Sequence, residues 1–185
     1  MKWDYEFDVV VVGSGNGALT SALCSHDGGA KTLVIEKSDQ YGGTSATSGG
    51  GVWIPNNRYA KAENVDDSDQ DARDYINSVS PEGKIKDELI ETYISEGPKM
   101  IDYLHENSQV KYRNLAHYPD YFPDNPGGKE GNRSMEPEPI NGTQLGNDLG
   151  KLREQHPQTA FTMGPINMNF TQVEGQLLLG ALPGW

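Results

Sequence analysis

The sequence is poor in cysteine and has no long hydrophobic run. It contains one cysteine, Cys24, so an internal disulfide is excluded, and this composition favours a reducing compartment. The apolar run near the start, Val9–Val12, is far too short for a signal peptide or a membrane span. We therefore expect a cytoplasmic protein with no integral membrane association.

Positive charge is also scarce. Fifteen Lys and Arg against 27 Asp and Glu give a net charge of −12 over 185 residues, which opposes binding to nucleic acid or to an anionic surface. His117 and His156 show no metal-ligand spacing, so no metal site is expected. The expected partner is a small molecule, and the oligomeric state stays open.

What the sequence does contain is a strand, a glycine loop, a helix and a second strand within its first 36 residues. The four valines of Val9–Val12 predict a central strand that is buried on both faces. The pattern G-x-G-x-x-G/A follows, in which glycines permit a tight turn and the close approach of a diphosphate. Its six residues are Gly13, Ser14, Gly15, Asn16, Gly17 and Ala18.

The residues after this loop strengthen the pattern. Leu19, Ala22 and Leu23 keep helical spacing, so the helix N-terminus would face the loop and favour an anion. Glu36 ends the second predicted strand, where its carboxylate can accept hydrogen bonds from ribose hydroxyls. This order predicts dinucleotide binding. The alternative is a βαβ unit whose glycines serve only close packing.

A second glycine-rich segment, Gly42–Gly51, carries hydroxyl residues between two groups of glycines. Glycines would let the backbone pass against a flat ring system, and the hydroxyls offer hydrogen-bond donors. The alternative, a flexible Gly/Ser linker, has no domain boundary to serve, because Val52–Ile54 resumes strand character directly.

Together these motifs resemble the FAD-binding half of the fumarate reductase/3-ketosteroid Δ1-dehydrogenase flavoproteins. The resemblance rests on Gly13-Ser14-Gly15, on Glu36-Lys37, on Gly42-Gly43-Thr44 and on the residues from Ser48 to Asn57. It implies that the first loop holds the FAD diphosphate, that Glu36 holds the adenosine ribose, and that the second segment lies along the flavin. The residues so implied are Gly13, Ser14, Gly15, Asn16, Gly17, Ala18, Glu36, Lys37, Gly43, Thr44, Ser45, Ser48, Gly49, Gly50, Gly51 and Val52. Because the second segment has no histidine, we expect FAD to be held non-covalently.

The resemblance also implies the fold. It is an α/β fold, a Rossmann-like FAD-binding domain with a parallel central sheet in three layers, incomplete at the C-terminus. Residues 1–57 would form the βαβ core and flavin loop, and residues 58–185 its helical and irregular continuation. Three apolar stripes predict helices there: Ala72 to Val79 after the capping sequence Ser68–Asp71, Leu89 to Ile94, and Met100 to Leu104. Gly97-Pro98 is expected to separate the last two, and Leu177 to Leu182 predict one or two further helical turns.

The segment from Val110 to Pro139 is expected to be irregular but ordered, because it carries five aromatic residues. It resembles the steroid-dehydrogenase branch in its Y-x-D-Y-x-P, PGG and GRS-x-E-P patterns, with Asn132 in place of a usual glycine. In that branch a tyrosine of this loop reaches the active site. There it supports a second tyrosine, which takes the proton from the substrate. Tyr121 is the first candidate and Tyr118 the second, with plain loop packing as the alternative. Arg133 is expected to fix the loop rather than touch the substrate.

The implied activity is that of an FAD-dependent oxidoreductase acting on a CH–CH group. A base removes a proton alpha to a carbonyl, a hydride leaves the neighbouring carbon for flavin N5, and donors stabilise the enolate. The implied substrates are steroid-like ketones. One alternative is a soluble fumarate or enoate reductase, which would need paired arginines that this sequence does not show. Another is a non-catalytic FAD-binding remnant. The catalytic base and oxyanion donors would lie outside this chain, so the chain alone is expected to be inactive.

Overall fold

The computed structural model describes residues 3–154 and the backbone of residues 161–163 and 166–168. The strands are β1 (Val9–Val12), β2 (Thr32–Ile35), β3 (Val52–Trp53), β4 (Tyr112–Asn114), β5 (Ser134–Pro137), β6 (Phe161–Met163) and β7 (Ile166–Met168). The α-helices are α1 (Asn16–Asp27), α2 (Arg58–Ala62), α3 (Asp69–Val79) and α4 (Asp87–Asn107), and two 3-10 helices span Ser45–Thr47 and Gly142–Lys151. His156 and the helical turns predicted over Leu177 to Leu182 lie outside the described residues.

The chain divides into two compact units. The first unit comprises Met1–Gly50 and Pro139–Trp185, and the second comprises Gly51–Glu138. None of the described helices combines the length and the apolar character needed to cross a membrane.

The first unit contains a parallel pair of strands joined by a helix. β1 and β2 pair from Val9 opposite Thr32 to Val12 opposite Ile35, and α1 connects them. The prediction that β1 is buried on both faces is wrong for the described residues. Val11 is buried, but Val10 and Val12, which point to the opposite face, are 52% and 78% exposed, because the described residues do not cover that face.

The second unit is built on a short antiparallel sheet with the order β3–β5–β4. One core cluster combines Ile54, Ile101 and Met135, so α4 packs against this sheet. The prediction that the whole segment from Val110 to Pro139 is irregular is therefore partly wrong, since β4 and β5 flank an irregular middle. Their residues are mostly polar, so the alternation that marks a strand in sequence is missing.

Helices α3 and α4 follow the predicted stripes, with one correction, whereas α2 was not predicted. Ser68 caps α3 by accepting a hydrogen bond from the backbone N–H of Asp71, as predicted. α4, however, runs without a break from Asp87 to Asn107 and contains Pro98, so the predicted break at Gly97-Pro98 is wrong. The apolar stripe explains the difference. Its buried members, Ile90, Ile94, Ile101 and Leu104, keep one helical face on both sides of the proline, so tertiary packing outweighs the lost backbone hydrogen bond.

Candidate cofactor site and tyrosine loop

The first loop connects β1 to α1 by a turn that needs glycine. Gly13 has a φ of +98°, a conformation that side chains rarely adopt, and its N–H donates to the carbonyl of Ile35 at 2.7 Å. Gly15 is the N-cap of α1. The strand–loop–helix order predicted from the sequence is therefore confirmed, with the helix beginning at Asn16.

A buried hydroxyl joins the first loop to two later segments. Ser14, 4% exposed, donates to Glu36 Oε2 at 2.5 Å and accepts from the backbone N–H of Gly42 at 2.8 Å. The backbone N–H of Ser38 donates to Glu36 Oε1 at 3.1 Å. These hydrogen bonds, that of Ser14 first, hold the pKa of the Glu36 carboxyl below its ordinary value. The Glu36 carboxylate has lone pairs that can accept hydrogen bonds from hydroxyl groups.

The second segment lies against the first loop at Gly43 and Ser45. Ser45 Oγ accepts from the backbone N–H of Asn16 at 2.9 Å, at the N-terminus of α1. A Cβ atom on Gly43 would lie 3.6 Å from the backbone of Gly15, and one on Gly15 would lie 3.3 Å from Ser45 Oγ. Two glycine backbones and a hydroxyl therefore line this end of the helix, and the dipole of α1 favours an anion beside them.

Two further polar atoms near this segment were not singled out from the sequence. Tyr41 Oη and Arg153 Nε are buried without a hydrogen-bond partner in the described part of the chain. Tyr41 and Arg153 are joined through their backbones, N–H to carbonyl at 2.9 Å. Only the fold brings residue 153 beside the second segment, so no local sequence signal could reveal it. Unpaired buried polar atoms, a glycine-lined helix end and an ionised acid together fit a dinucleotide cofactor.

The other predicted cofactor residues are placed as follows. Gly17 and Ala18 lie in the first turn of α1, and Lys37, Thr44, Ser48 and Gly49 are exposed. Gly50 has a φ of +74° and lies in the first unit, whereas Gly51 and Val52 belong to the second unit, Val52 in β3. The structure thus brings Ser14, Gly15, Glu36, Gly43 and Ser45 together within the first unit.

The irregular segment of residues 115–133, here called the tyrosine loop, borders a cavity of about 340 Å³ in the second unit. Both candidate tyrosines line it, with Tyr121 85% exposed and Tyr118 39% exposed. The other lining residues are Trp53, Tyr75, Ile76, Val79, Pro119, Asp120, Phe122 and Ser134. Its volume and its aromatic lining are typical of sites for small apolar molecules.

The tyrosine loop is held by close backbone packing and by a buried ion pair. Gly127 has a φ of +73°, and a Cβ atom there would lie 2.0 Å from the carbonyl oxygen of Asp71, so only glycine fits. Arg133 Nη1 lies 2.9 Å from Asp120 Oδ2. The prediction that Arg133 fixes the loop is confirmed. Asn132 adopts a φ of +72°, which asparagine tolerates, so it can replace a glycine here.

The remaining arginines of the second unit are bound to carboxylates of that unit. Arg58 contacts Asp102 and Glu106, Arg73 contacts Glu91, and Arg113 contacts Glu136. The arginines of Gly51–Glu138 thus offer no free pair to a dicarboxylate.

Comparison with known proteins supports this description. Residues 8–173 match the family model described as FAD binding domain. The chain is 38% identical over 168 residues to a 3-oxosteroid 1-dehydrogenase of Mycolicibacterium smegmatis, covering 91% of this chain and 29% of the relative. It is 38% identical over 157 residues to a 4-oxocyclohexanecarboxylate 2-dehydrogenase of Sinomonas cyclohexanicum, covering 85% of this chain and 27% of the relative.

A solved structure agrees closely. The structure is that of 3-ketosteroid Δ1-dehydrogenase from Sterolibacterium denitrificans in complex with 1,4-androstadiene-3,17-dione. It matches with a TM-score of 0.85 and 40% identity over 97% of this chain and 31% of that chain. The chain therefore spans under a third of the length of the relatives it matches. With its glycine loop, its ionised acid and this match over most of its length, the chain belongs to the family of FAD-binding domains and is similar to the N-terminal, FAD-binding portion of 3-ketosteroid Δ1-dehydrogenases.

Proposed function

We propose that this chain is the FAD-binding portion of a dehydrogenase that forms a carbon–carbon double bond next to the carbonyl of a steroid-like ketone. The observation that carries the proposal is the apolar cavity of about 340 Å³ with Tyr118 and Tyr121 at its edge. Aromatic and aliphatic walls suit a polycyclic hydrocarbon skeleton better than a small dicarboxylate. A ring ketone is also the substrate named for both kinds of dehydrogenase to which the chain is 38% identical.

The cofactor residues have separable roles in this proposal. The ribose hydroxyls of the adenosine half would donate to Glu36, whose pKa is lowered first by the hydrogen bond from Ser14. The diphosphate would lie at the N-terminus of α1, beside Gly15 and Ser45. FAD, when bound, supplies the hydride acceptor. No histidine lies in Gly42–Gly51, which supports non-covalent attachment.

Tyr121 would act on the proton side of the reaction. Its side chain is exposed at the cavity edge, so its hydroxyl is free to donate a hydrogen bond to a second tyrosine outside this chain. Such a bond would stabilise a phenolate and so favour removal of the proton alpha to the carbonyl. Tyr118 is the second candidate for this role.

The finer architecture is part of the proposal. β1 and β2 would be neighbouring strands of a larger parallel sheet in a three-layer Rossmann-like domain, with β1 central and further strands supplied by chain beyond these residues. The uncovered side chains of Val10 and Val12 support this, since parallel strands are normally covered on both faces. By role, residues 1–57 would form the βαβ core and flavin loop and residues 58–185 its continuation, whereas the two compact units divide the chain at other points. A cytoplasmic location and the absence of nucleic-acid partners are supported by the single cysteine and the net charge of −12.

The test is a paired assay of the complete enzyme that contains these residues. With an artificial electron acceptor we expect turnover of 4-androstene-3,17-dione and none of fumarate. Tyr121→Phe should lower kcat by roughly 10²-fold with little change in KM, because the hydroxyl acts in the transition state. The same measurement on Tyr118→Phe decides between the two candidates. Faster turnover with fumarate would reject the proposal.

A further inference from the structure

We propose that Asp120 and Arg133 are positioning residues that set where Tyr118 and Tyr121 stand at the edge of the cavity. The catalytic part of this inference rests on the proposed function. The positioning part rests on the contacts of the second unit alone.

The guanidinium of Arg133 is held in position by two carboxylates. Arg133 is 1% exposed and lies between two buried carboxylates, with Nη1 2.9 Å from Asp120 Oδ2 and Nη2 2.7 Å from Asp67 Oδ1. Its Nε also donates to Asp67, at 3.1 Å. Burying an unpaired charge costs several kcal/mol, so each of these groups is confined to positions in which the pairs persist. The planar fork of an arginine spans two carboxylates, which a lysine ammonium does not reproduce.

Asp120 connects the Arg133 ion pair to the tyrosine loop. It lies one residue before Tyr121 and two after Tyr118. Its backbone N–H donates to the carbonyl of Lys129 at 2.9 Å, and its carboxylate accepts from the N–H of Lys129 at 3.0 Å. The near and far arms of the loop are thus joined at Asp120. Tyr121 is 85% exposed, so few contacts hold its side chain. The position of that side chain therefore depends on the position of the backbone at Asp120.

The same pair also contacts two aromatic residues that line the cavity. Trp53 Nε1 donates to Asp120 Oδ1 at 2.6 Å. The guanidinium carbon of Arg133 lies 5.5 Å from the ring centre of Trp53 and 5.7 Å from that of Tyr75, within cation–π range. Both aromatic rings line the cavity. One buried ion pair therefore fixes two aromatic wall residues and the loop that carries both tyrosines.

Asp67 provides a matched control. Its carboxylate pairs with the same guanidinium and is equally buried, at 3% side-chain exposure against 2% for Asp120. Its other partners are the backbone N–H groups of Asn56 and Ser68, which lie outside the tyrosine loop. Asp67→Asn and Asp120→Asn therefore remove the same charge from the same partner, and only the second change reaches the tyrosines directly.

The test is ¹⁹F NMR of the complete enzyme that contains these residues, labelled with 3-fluorotyrosine, with signals assigned through Tyr118→Phe and Tyr121→Phe. We expect Asp120→Asn to shift or broaden both tyrosine signals and Asp67→Asn to leave them within their linewidths, while both variants lower the unfolding midpoint. Equal effects of the two variants, or no effect of Asp120→Asn, would overturn the proposal. If Asp120→Asn does not fold, Arg133→Lys decides through the same signals. Failure of both to fold would make the pair a stability element and overturn the proposal as well.

A steroid titration separates this inference from the proposed function. The same samples are titrated with 1,4-androstadiene-3,17-dione, and the tyrosine signals report binding. We expect binding to wild type and to Asp67→Asn, with affinity on the order of tenfold lower in Asp120→Asn. If the steroid binds none of them while Asp120→Asn still moves the tyrosine signals, the positioning role stands and the assigned substrate class fails.

Discussion

Ser14 and Glu36, 22 residues apart, are joined by a hydrogen bond of 2.5 Å between the serine hydroxyl and the carboxylate. The same hydroxyl accepts from Gly42, so the first loop, the end of β2 and the second segment meet at one buried oxygen. A glycine pattern alone specifies a turn. This contact makes the turn part of a site. It fixes the distance between Glu36, which is proposed to hold the ribose, and the first loop, which is proposed to hold the diphosphate.

Ser14→Ala tests this contact through pH. Without the donor, the pKa of Glu36 should rise toward its ordinary value of 4.5. A carboxyl whose pKa is lowered by folding stabilises the fold above its unfolded pKa, and that contribution is lost as pH falls through the folded pKa. The variant should therefore lose less stability below pH 4.5 than wild type. The pKa of Glu36 is measured by following the NMR chemical shift of its carboxyl carbon as the pH is changed. Ser38→Ala is the control, since the bond from Ser38 to Glu36 uses its backbone N–H. An unchanged Glu36 pKa in Ser14→Ala would reject the assigned cause.

Gly15→Val is expected to weaken FAD binding on the order of tenfold or more. The added Cβ would lie 3.3 Å from Ser45 Oγ, and the two further methyl groups would enter the space beside the N-terminus of α1. Affinity is measured by flavin fluorescence, and retained yellow colour after purification of the complete enzyme is a second measure. Gly150→Val is the matched control, because it makes the same change where a Cβ atom meets nothing within 4 Å. A Gly15→Val protein that keeps its full complement of FAD would rule out this diphosphate site.

The sequence was most informative where the chemistry is local. A glycine with a φ of +98° at Gly13, a serine cap at Ser68 and a helical stripe from Ala72 to Val79 are all determined by near neighbours, and each was predictable. The strands β4 and β5 were not, because Tyr112–Asn114 and Ser134–Pro137 are extended through pairing with distant partners rather than through their own composition.

The candidate site divides in the same way. The pattern from Gly13 to Ala18 and the acid Glu36 were visible in the sequence, since both depend on spacing along one βαβ unit. The contacts of Asn16 with Ser45, of Asp67 with Arg133 and of Tyr41 with Arg153 join residues that are 29, 66 and 112 positions apart along the chain. Such contacts depend on tertiary packing, which a single sequence does not reveal.

Pro98→Ala is expected to stabilise the second unit by up to about 3 kcal/mol, because α4 continues through a proline that cannot donate to the carbonyl of Ile94. Gly97→Ala is the comparison. Alanine gains about 1 kcal/mol of helix propensity, but its Cβ would lie 3.3 Å from Ile54 Cδ1, so we expect no net gain. Urea unfolding followed by circular dichroism measures both. A lower midpoint for Pro98→Ala would show that the proline is needed where it stands.

The exposed face of the β1–β2 pair leads to the last prediction. Val10, Val12 and Ile35 share one face and are each more than a third exposed, although strands of a parallel sheet are normally covered on both faces. We expect the 185-residue chain alone to bind the dye ANS, to associate at micromolar concentration, to retain FAD weakly and to show no dehydrogenase turnover. This face is also proposed to lie beside the cofactor loop. Covering it should therefore raise both the stability of the fold and its affinity for FAD.

Substitution of that face gives the measurement. Val12→Thr with Ile35→Thr keeps β-branched side chains but removes apolar surface, so ANS fluorescence and the associated fraction in sedimentation should both fall. Leu89→Gln is the control, because Leu89 is 59% exposed on α4, outside the β1–β2 pair, and its replacement should change neither signal. FAD affinity should stay weak in all three proteins, since lowering the exposed apolar area does not supply the further strands that the proposed sheet requires. A monodisperse wild-type chain that melts cooperatively, ignores ANS and carries one FAD per molecule would show instead that the described strands form a self-sufficient domain.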